Sequence, residues 1–112
     1  MNGKRSMDGS ATPIGLTDIS QESWALYYSK FITAYKKLGI SIWALTVQNE
    51  PENPAVWEAC VETPEFQRDF IVQYLGPQLA LDHPEVIILG FDHNRDSVLN
   101  WYVRAFASSR QE

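Results

Sequence analysis

The apolar residues between Asp18 and Gly39 recur every three or four positions, which is the spacing of one face of an amphipathic helix. Potential capping residues lie at Asp18–Ser20, and Gly39 stands where a left-handed residue would end the helix. The run from Ile40 to Val47 is rich in branched and aromatic residues, with apolar positions of both parities. It predicts a strand that is buried on both faces. The helical stripe comprises Trp24, Tyr27, Tyr28, Phe31, Ile32, Tyr35 and Leu38.

A second helix is predicted to begin at Thr63-Pro64-Glu65, where an N-cap residue, a proline and a first-turn acid follow one another. Apolar residues continue at helical spacing as far as Leu79, but Gly76-Pro77 should kink the helix or split it in two. The run from Val86 to Phe91 predicts another strand buried on both faces. After a polar loop, Ser97 could cap a third helix.

The predicted order is helix, strand, long loop, helix, strand, loop and helix. Helical crossovers between buried strands are typical of α/β folds with a parallel sheet. Two parallel strands are not stable alone, because both edges lie open and each face needs a cover. A (β/α)8 barrel needs roughly 250 residues and eight strands. The 112 residues are therefore expected to be an internal fragment of a barrel domain, with 1–17 as a loop and 18–112 as the helices and strands.

Composition narrows the class of partner. The chain is 45% apolar and 21% charged, as in ordinary globular proteins, but its net charge is -5 and its pI is near 4.9. Nucleic-acid binders usually carry a basic stripe, and none is present, so nucleic acid is excluded as an expected partner. The sequence has no apolar run of the roughly 20 residues that span a bilayer and no signal-peptide core at its start.

Polar clusters follow both predicted strands, at Gln48-Asn49-Glu50 and at Asp92-His93-Asn94. In β/α barrels the chemistry lies at the carboxyl ends of the strands. A carboxyl partly removed from water there can keep its proton and donate it to a leaving oxygen, and Glu50 is placed for this role. The Asn49 amide could hold a sugar hydroxyl. From position alone, however, Asn-Glu-Pro is also typical of an ordinary turn with a solvated glutamate.

Two further residues are candidates for substrate contact. Trp57, in the loop after Glu50, could stack on a sugar or an acyl chain, or it could simply anchor that loop. Asp92 could line the pocket or cap a solvated loop. The acids from Asp92 onward superficially resemble a calcium loop, but Ser97 stands where such a loop needs glycine and the final acid is missing. No metal site is predicted.

Four segments between Trp24 and Phe106 resemble glycoside hydrolase family 30. They are Tyr-Tyr-Ser-Lys-Phe-Ile-Thr-Ala-Tyr, Ile-Trp-Ala-Leu-Thr-Val-Gln-Asn-Glu-Pro, Gln-Arg-Asp-Phe-Ile and Leu-Gly-Pro-Gln-Leu-Ala. The segment from Trp43 to Pro51 is the most specific, because that family has its acid/base glutamate in this Asn-Glu-Pro at the end of the fourth barrel strand. The resemblance implies a partial TIM barrel around strands 4 and 5, with Glu50 as general acid/base and Asn49 as a substrate contact.

The resemblance also implies a retaining mechanism with a second glutamate as nucleophile near the end of the seventh strand. No residue of this chain matches that position. Retention requires two carboxyls about 5 Å apart. The nucleophile is therefore expected outside these 112 residues, which are expected to show no turnover alone.

The implied substrate is a β-glucoside, and glucosylceramide is the leading expectation. The rest of the same barrel would be the structural partner, and a lipid substrate would bring contact with a membrane surface. A lysosomal or secreted location and no cofactor are implied. Two alternatives stay open: another member of the family, such as a β-1,6-glucanase, fucosidase or xylanase, and a truncated non-catalytic remnant. Trp57-Glu58-Ala59-Cys60 is similar to bacterial members, which weighs against a ceramide preference.

Overall fold

The computed structural model describes residues 16–55 and 59–107, which form helices and strands in the predicted order. The predicted loop over residues 1–17 lies almost wholly outside these ranges. The elements are α1 Asp18–Lys37, β1 Ala44–Thr46, α2 Pro64–Phe70, α3 Gly76–Asp82, β2 Ile87–Leu89 and α4 Val98–Ala107. A π-helical turn, Ile71–Leu75, joins α2 to α3, and a 3-10 turn, Arg95–Ser97, leads into α4.

The end of α1 follows the sequence prediction closely. Gly39 has φ +80°, and its N–H donates to the Lys36 carbonyl at 3.0 Å. The Ile40 N–H donates to the Tyr35 carbonyl at 3.1 Å. These two bonds make a Schellman motif, which satisfies carbonyls that the end of the helix would otherwise leave unpaired.

Both strands are shorter than predicted, because neighbouring residues use their backbone groups elsewhere. Ile40 is part of the α1 cap, and the Val47 carbonyl accepts from the Tyr28 hydroxyl at 2.5 Å. The Val86 N–H donates to the His83 carbonyl, and the Phe91 N–H donates to the Gln67 side chain. Alternation of apolar residues could not reveal these competing hydrogen-bond partners.

The two strands run parallel, as predicted, with Ala44 opposite Ile87 and Thr46 opposite Leu89. The expectation that both faces are buried is wrong for β2, because Ile87 is 54% exposed and Leu89 is 41% exposed. Ile88 between them packs against the helical core. Helices cover one face of this two-stranded sheet, and the opposite face has no second layer among the described residues.

The predicted interruption of the second helix is confirmed, but it takes the form of the π-helical turn that precedes Gly76-Pro77. Pro77 has no N–H to give to the carbonyl four residues earlier, and its ring crowds that carbonyl. The Gly76 N–H donates instead to the Ile71 carbonyl. A Cβ at position 76 would lie 2.7 Å from that same oxygen, so glycine is required here.

The core lies between the sheet and helices α1 to α3. Phe70 and Leu75 are completely buried, and Leu79 is 2% exposed. α1 packs against the π-helical turn and α3, whereas α2 packs against α4. None of the helices in the described ranges combines the length and apolar character needed to cross a membrane. The cluster of buried apolar residues comprises Ala25, Ile32, Val47, Phe70, Leu75, Leu79 and Val86.

Candidate active site

The two polar clusters that follow the strands lie side by side at the carboxyl edge of the sheet. Asn49 and Asp92 form an isolated parallel bridge beyond the last ladder pair. The Glu50 N–H donates to the Asp92 carbonyl at 2.7 Å. Ligands of parallel α/β sheets bind at this edge, outside the carboxyl ends of the strands. The structure therefore brings Asn49, Glu50 and Asp92 together where the sequence placed them.

Glu50 is held in an unusual backbone conformation, with φ +46°. It is half-buried, and its Oε2 accepts from the Asn53 side-chain amide at 2.8 Å. The Asn53 N–H also donates to the Glu50 carbonyl at 2.9 Å, and the following Pro51 is fully buried. A residue other than glycine keeps a left-handed backbone conformation only where the surrounding contacts hold it there. The carboxyl is thus fixed in place, and at this edge it can donate or accept a proton.

Asp92 has a different environment. Its Oδ2 accepts a hydrogen bond from the Thr46 hydroxyl at 2.8 Å, so its carboxylate is tied to the last residue of β1. Asp92 is half-buried, whereas Asn49 is exposed. Trp57, the remaining predicted contact, lies outside the described residues. The Asp92 side chain therefore links the loop after β2 to the end of β1.

A buried carboxyl lies behind the edge. Glu62 is 5% exposed, and its Oε2 accepts from the Gln67 side-chain amide at 3.0 Å. Burial raises the pKa of Glu62 to about 7, and the hydrogen bond from Gln67 partly offsets this effect. Gln67 is itself 2% exposed, and its Oε1 accepts from the Phe91 N–H at 3.1 Å. One amide thus joins α2 to the loops after both strands.

Tyr28 approaches the same region from α1. Its hydroxyl donates to the Val47 carbonyl at the end of β1. Burial, and secondarily the nearby Glu62, raise the pKa of Tyr28 to about 12. The phenol therefore stays protonated and keeps this bond over the whole physiological range.

Sequence reasoning missed most of this support. Gln67 stands three residues before Phe70 and seven before Tyr74, so helical spacing alone would have placed it on the apolar face of its helix. Glu62 carried no such signal, because it lies in a loop with weak periodicity. Within 16–55 and 59–107, His, Cys, Asp and Glu side chains form no group of three or more that could hold a metal ion.

Several known proteins are similar to this chain in sequence. Residues 1–108 match the glycosyl hydrolase family 30 TIM-barrel domain. The chain is 38% identical to lysosomal acid glucosylceramidase of Mus musculus over 105 residues, which are 90% of this chain and 19% of that protein. It is 35% identical to endo-1,6-beta-D-glucanase neg1 of Aspergillus fumigatus over 74 residues, which are 65% of this chain and 15% of that protein.

Solved structures agree with the sequence matches. SrfJ of Salmonella typhimurium superposes with a TM-score of 0.82 at 34% identity, over 91% of this chain and 22% of that structure. An endo-beta1,6-glucanase superposes with a TM-score of 0.81 at 30% identity, over 93% of this chain and 23% of that structure. The chain thus spans about a fifth of the length of these relatives. Its parallel strands, their polar carboxyl ends and these matches agree that the chain belongs to the TIM-barrel domain of glycosyl hydrolase family 30.

Proposed function

We propose that the protein containing this segment is a retaining glycoside hydrolase in which Glu50 is the general acid/base. The observation that carries the proposal is the fixed position of Glu50 at the carboxyl end of β1. Its N–H donates to the Asp92 carbonyl, and its carboxylate accepts from the Asn53 side-chain amide. A proton-transfer group must be held in a defined geometry, because efficiency depends on its reach to the reacting oxygen. The match of residues 1–108 to the family 30 TIM-barrel domain supports this proposal.

The reaction has two steps. Protonated Glu50 donates its proton to the glycosidic oxygen while a second carboxylate, from outside this chain, attacks the anomeric carbon and the aglycone leaves as an alcohol. The Glu50 carboxylate then takes a proton from water, the water oxygen attacks the glycosyl-enzyme ester, and the sugar is released with retained configuration. Glu50 ends each cycle protonated, as it began.

For the substrate we propose a β-glucoside, with glucosylceramide as the leading candidate. The mouse relative is named a lysosomal acid glucosylceramidase, and a putative glucosylceramidase of Caenorhabditis elegans is 34% identical over 90% of this chain. In this proposal Asn49 contacts a sugar hydroxyl, Asp92 borders the pocket, and Trp57 stacks on the sugar or acyl chain. A lipid substrate would bring the barrel to a membrane surface. The proposed location is lysosomal or secreted, and the name of the mouse relative supports the lysosomal one.

The second candidate is an endo-β-1,6-glucanase. It is favoured by the fungal relatives and by the structural neighbour with that activity in its name. A substrate panel separates the two. The full barrel protein would be assayed on glucosylceramide in detergent-mixed vesicles and on soluble β-1,6-glucan, with product analysis. Release of ceramide supports the first candidate, and release of gluco-oligosaccharides supports the second. Inactivity on both would contradict both candidates.

Glu50→Gln tests the acid/base role in the same protein. General acid catalysis contributes about 10²- to 10⁴-fold, so we expect kcat/KM on an alkyl β-glucoside to fall by that factor. On a dinitrophenyl glucoside kcat/KM should be nearly unchanged, because its leaving group needs no proton. Azide should raise kcat on that substrate, since it attacks the glycosyl-enzyme without a general base.

The matched control is Glu52→Gln, which removes an exposed carboxylate two residues away. Activity on both glucosides should be retained in that variant. Full activity of Glu50→Gln on the alkyl glucoside would remove Glu50 from the mechanism.

A further inference from the structure

Four hydrogen bonds form a closed ring behind the carboxyl edge of the sheet. The Glu50 N–H donates to the Asp92 carbonyl at 2.7 Å, and the neighbouring Phe91 N–H donates to Gln67 Oε1 at 3.1 Å. Gln67 Nε2 donates to Glu62 Oε2 at 3.0 Å. The Glu62 N–H donates to the Pro51 carbonyl at 2.8 Å, and Pro51 is bonded to Glu50. The ring thus returns to the residue from which it started.

The ring contains both non-glycine residues with left-handed backbone in the described chain. Glu50 has φ +46° and Phe91 has φ +56°. Such conformations are costly for residues with a Cβ and are retained where neighbouring contacts hold them. Glu50 lies in the turn after β1 and Phe91 in the turn after β2, and each is tied to the ring through its own N–H. The ring therefore holds both strand-end turns in register with each other.

We propose that Gln67, with Glu62 as its partner, is a positioning residue that sets the placement of the Glu50 carboxyl. This inference rests on the proposed function of Glu50. Gln67 lies on α2 and has no route to a ligand at the edge, because it is 2% exposed. It acts through the backbone: one end of its amide holds the loop after β2, and the other holds the loop after β1.

The ring needs a side chain at position 67 that accepts from the Phe91 N–H and also shares a hydrogen bond with the side chain at position 62. In the native chain the Gln67 amide does both: its oxygen accepts from Phe91 and its nitrogen donates to the Glu62 carboxyl. An apolar side chain would leave the Phe91 N–H and the buried Glu62 carboxyl without this partner, and a shorter amide could not reach both. Both side chains of the bridge are shielded from solvent, since Glu62 is 5% and Gln67 is 2% exposed. Loss of the bridge would allow the Glu50 turn to relax away from its catalytic placement.

The test uses the full barrel protein and two β-glucosides, one with an alkyl and one with a dinitrophenyl leaving group. Gln67→Met removes both amide bonds at similar side-chain length, and Gln67→Asn keeps the amide but shortens it by one methylene. A misplacement of about 1 Å can cost about 100-fold in rate, so kcat/KM on the alkyl glucoside should fall between about 10- and 100-fold. On the dinitrophenyl glucoside it should hardly change, because that reaction does not use the Glu50 proton.

Two controls separate positioning from general stability. Gln73→Met makes the same exchange at an exposed position of the same helical run and should leave both rates as in the parent. The double variant Glu62→Gln with Gln67→Glu reverses the bridge, since the new amide can donate to the new carboxyl, whose other oxygen accepts from Phe91. It should recover the parent ratio of the two rates.

Equal losses on both glucosides would overturn the positioning role, because a merely destabilised enzyme loses both activities together. A reversed bridge that stays as impaired as Gln67→Met would overturn it as well. If Glu50→Gln is impaired while both Gln67 variants match Gln73→Met, positioning fails and the acid/base role stands. If Glu50→Gln keeps full activity on the alkyl glucoside, the acid/base role fails, and the positioning role fails with it.

Discussion

The two faces of the sheet differ sharply in how well other residues of this chain cover them. On the helix-covered face, Ile88 packs against a core in which Phe70 and Leu75 are fully buried. On the open face, Ile87 and Leu89 are 54% and 41% exposed. Side chains alternate between faces along a strand, so these opposite environments lie one residue apart.

The difference shows which contacts of a barrel form between neighbours in sequence and which need strands from the whole barrel. A strand and its flanking helices bury the outer face through contacts between neighbours in sequence. The inner face of a (β/α)8 barrel is filled by side chains from alternate strands around the whole barrel. The carboxyl edge that holds Glu50 borders both faces. The helix-covered side supports it through Gln67 and Glu62, and the open side through the Thr46–Asp92 bond.

The largest effect is expected from damage to the core on the helix-covered face. Phe70→Ala removes a fully buried aromatic side chain, so we expect the free energy of unfolding of the full barrel protein to fall by about 3 to 5 kcal/mol. Ile87→Thr on the other face keeps a branched side chain and leaves a smaller void, so its loss should be clearly smaller. Urea denaturation followed by circular dichroism measures both. Similar losses in the two variants would show that the faces are equally well packed.

The next effect concerns the buried carboxyl on the covered side. In the unfolded chain Glu62 loses its proton near pH 4.5, whereas in the folded chain burial raises its pKa to about 7. Between these values the folded state binds more protons, so stability falls as the pH rises through that window. The contribution is about 3 kcal/mol at most. Tyr28, which faces Glu62, has its pKa raised to about 12 and does not titrate there.

Glu62→Gln isolates this contribution, because the amide cannot ionise and still offers an oxygen to Gln67. Urea midpoints taken from pH 4.5 to pH 7.5 should fall in the parent and stay nearly level in the variant. Glu65 and Glu85 have pKa values lowered by hydrogen bonds from Arg104 and Lys36, so their effects have the opposite sign and lie at lower pH. A variant that loses stability with pH as steeply as the parent would contradict a buried, proton-binding Glu62.

The same contrast explains what the sequence could predict. Helix positions, the Gly39 cap, the Thr63 cap and the parallel strand pair follow from local spacing and capping chemistry, and the structure confirms them. The lengths of the strands depend on which groups compete for backbone hydrogen bonds. The exposure of Ile87 depends on how many strands complete the barrel. Those facts are not local, so periodicity could not supply them.

The site divides in the same way. Glu50, Asn49 and Asp92 could be located because polar residues after a buried apolar run mark the carboxyl edge of a parallel sheet. The ring behind them joins positions 50, 62, 67 and 91 across two loops and a helix. Gln67 had a weak signal in its spacing from Phe70, but its partners were visible in the fold alone.

The smallest expected effect lies on the open side of the edge, at the bond between the Thr46 hydroxyl and Asp92. Thr46→Val keeps the shape of the side chain and removes the donor, whereas Thr46→Ser keeps the donor and serves as the control. Because Asp92 is half-buried, water can partly replace the lost partner, so Thr46→Val should lower the free energy of unfolding by about 1 kcal/mol. Urea denaturation at pH 7 would measure both variants. A loss in Thr46→Val as large as that in Phe70→Ala would mean that the strand tips, rather than the covered core, hold this part of the barrel together.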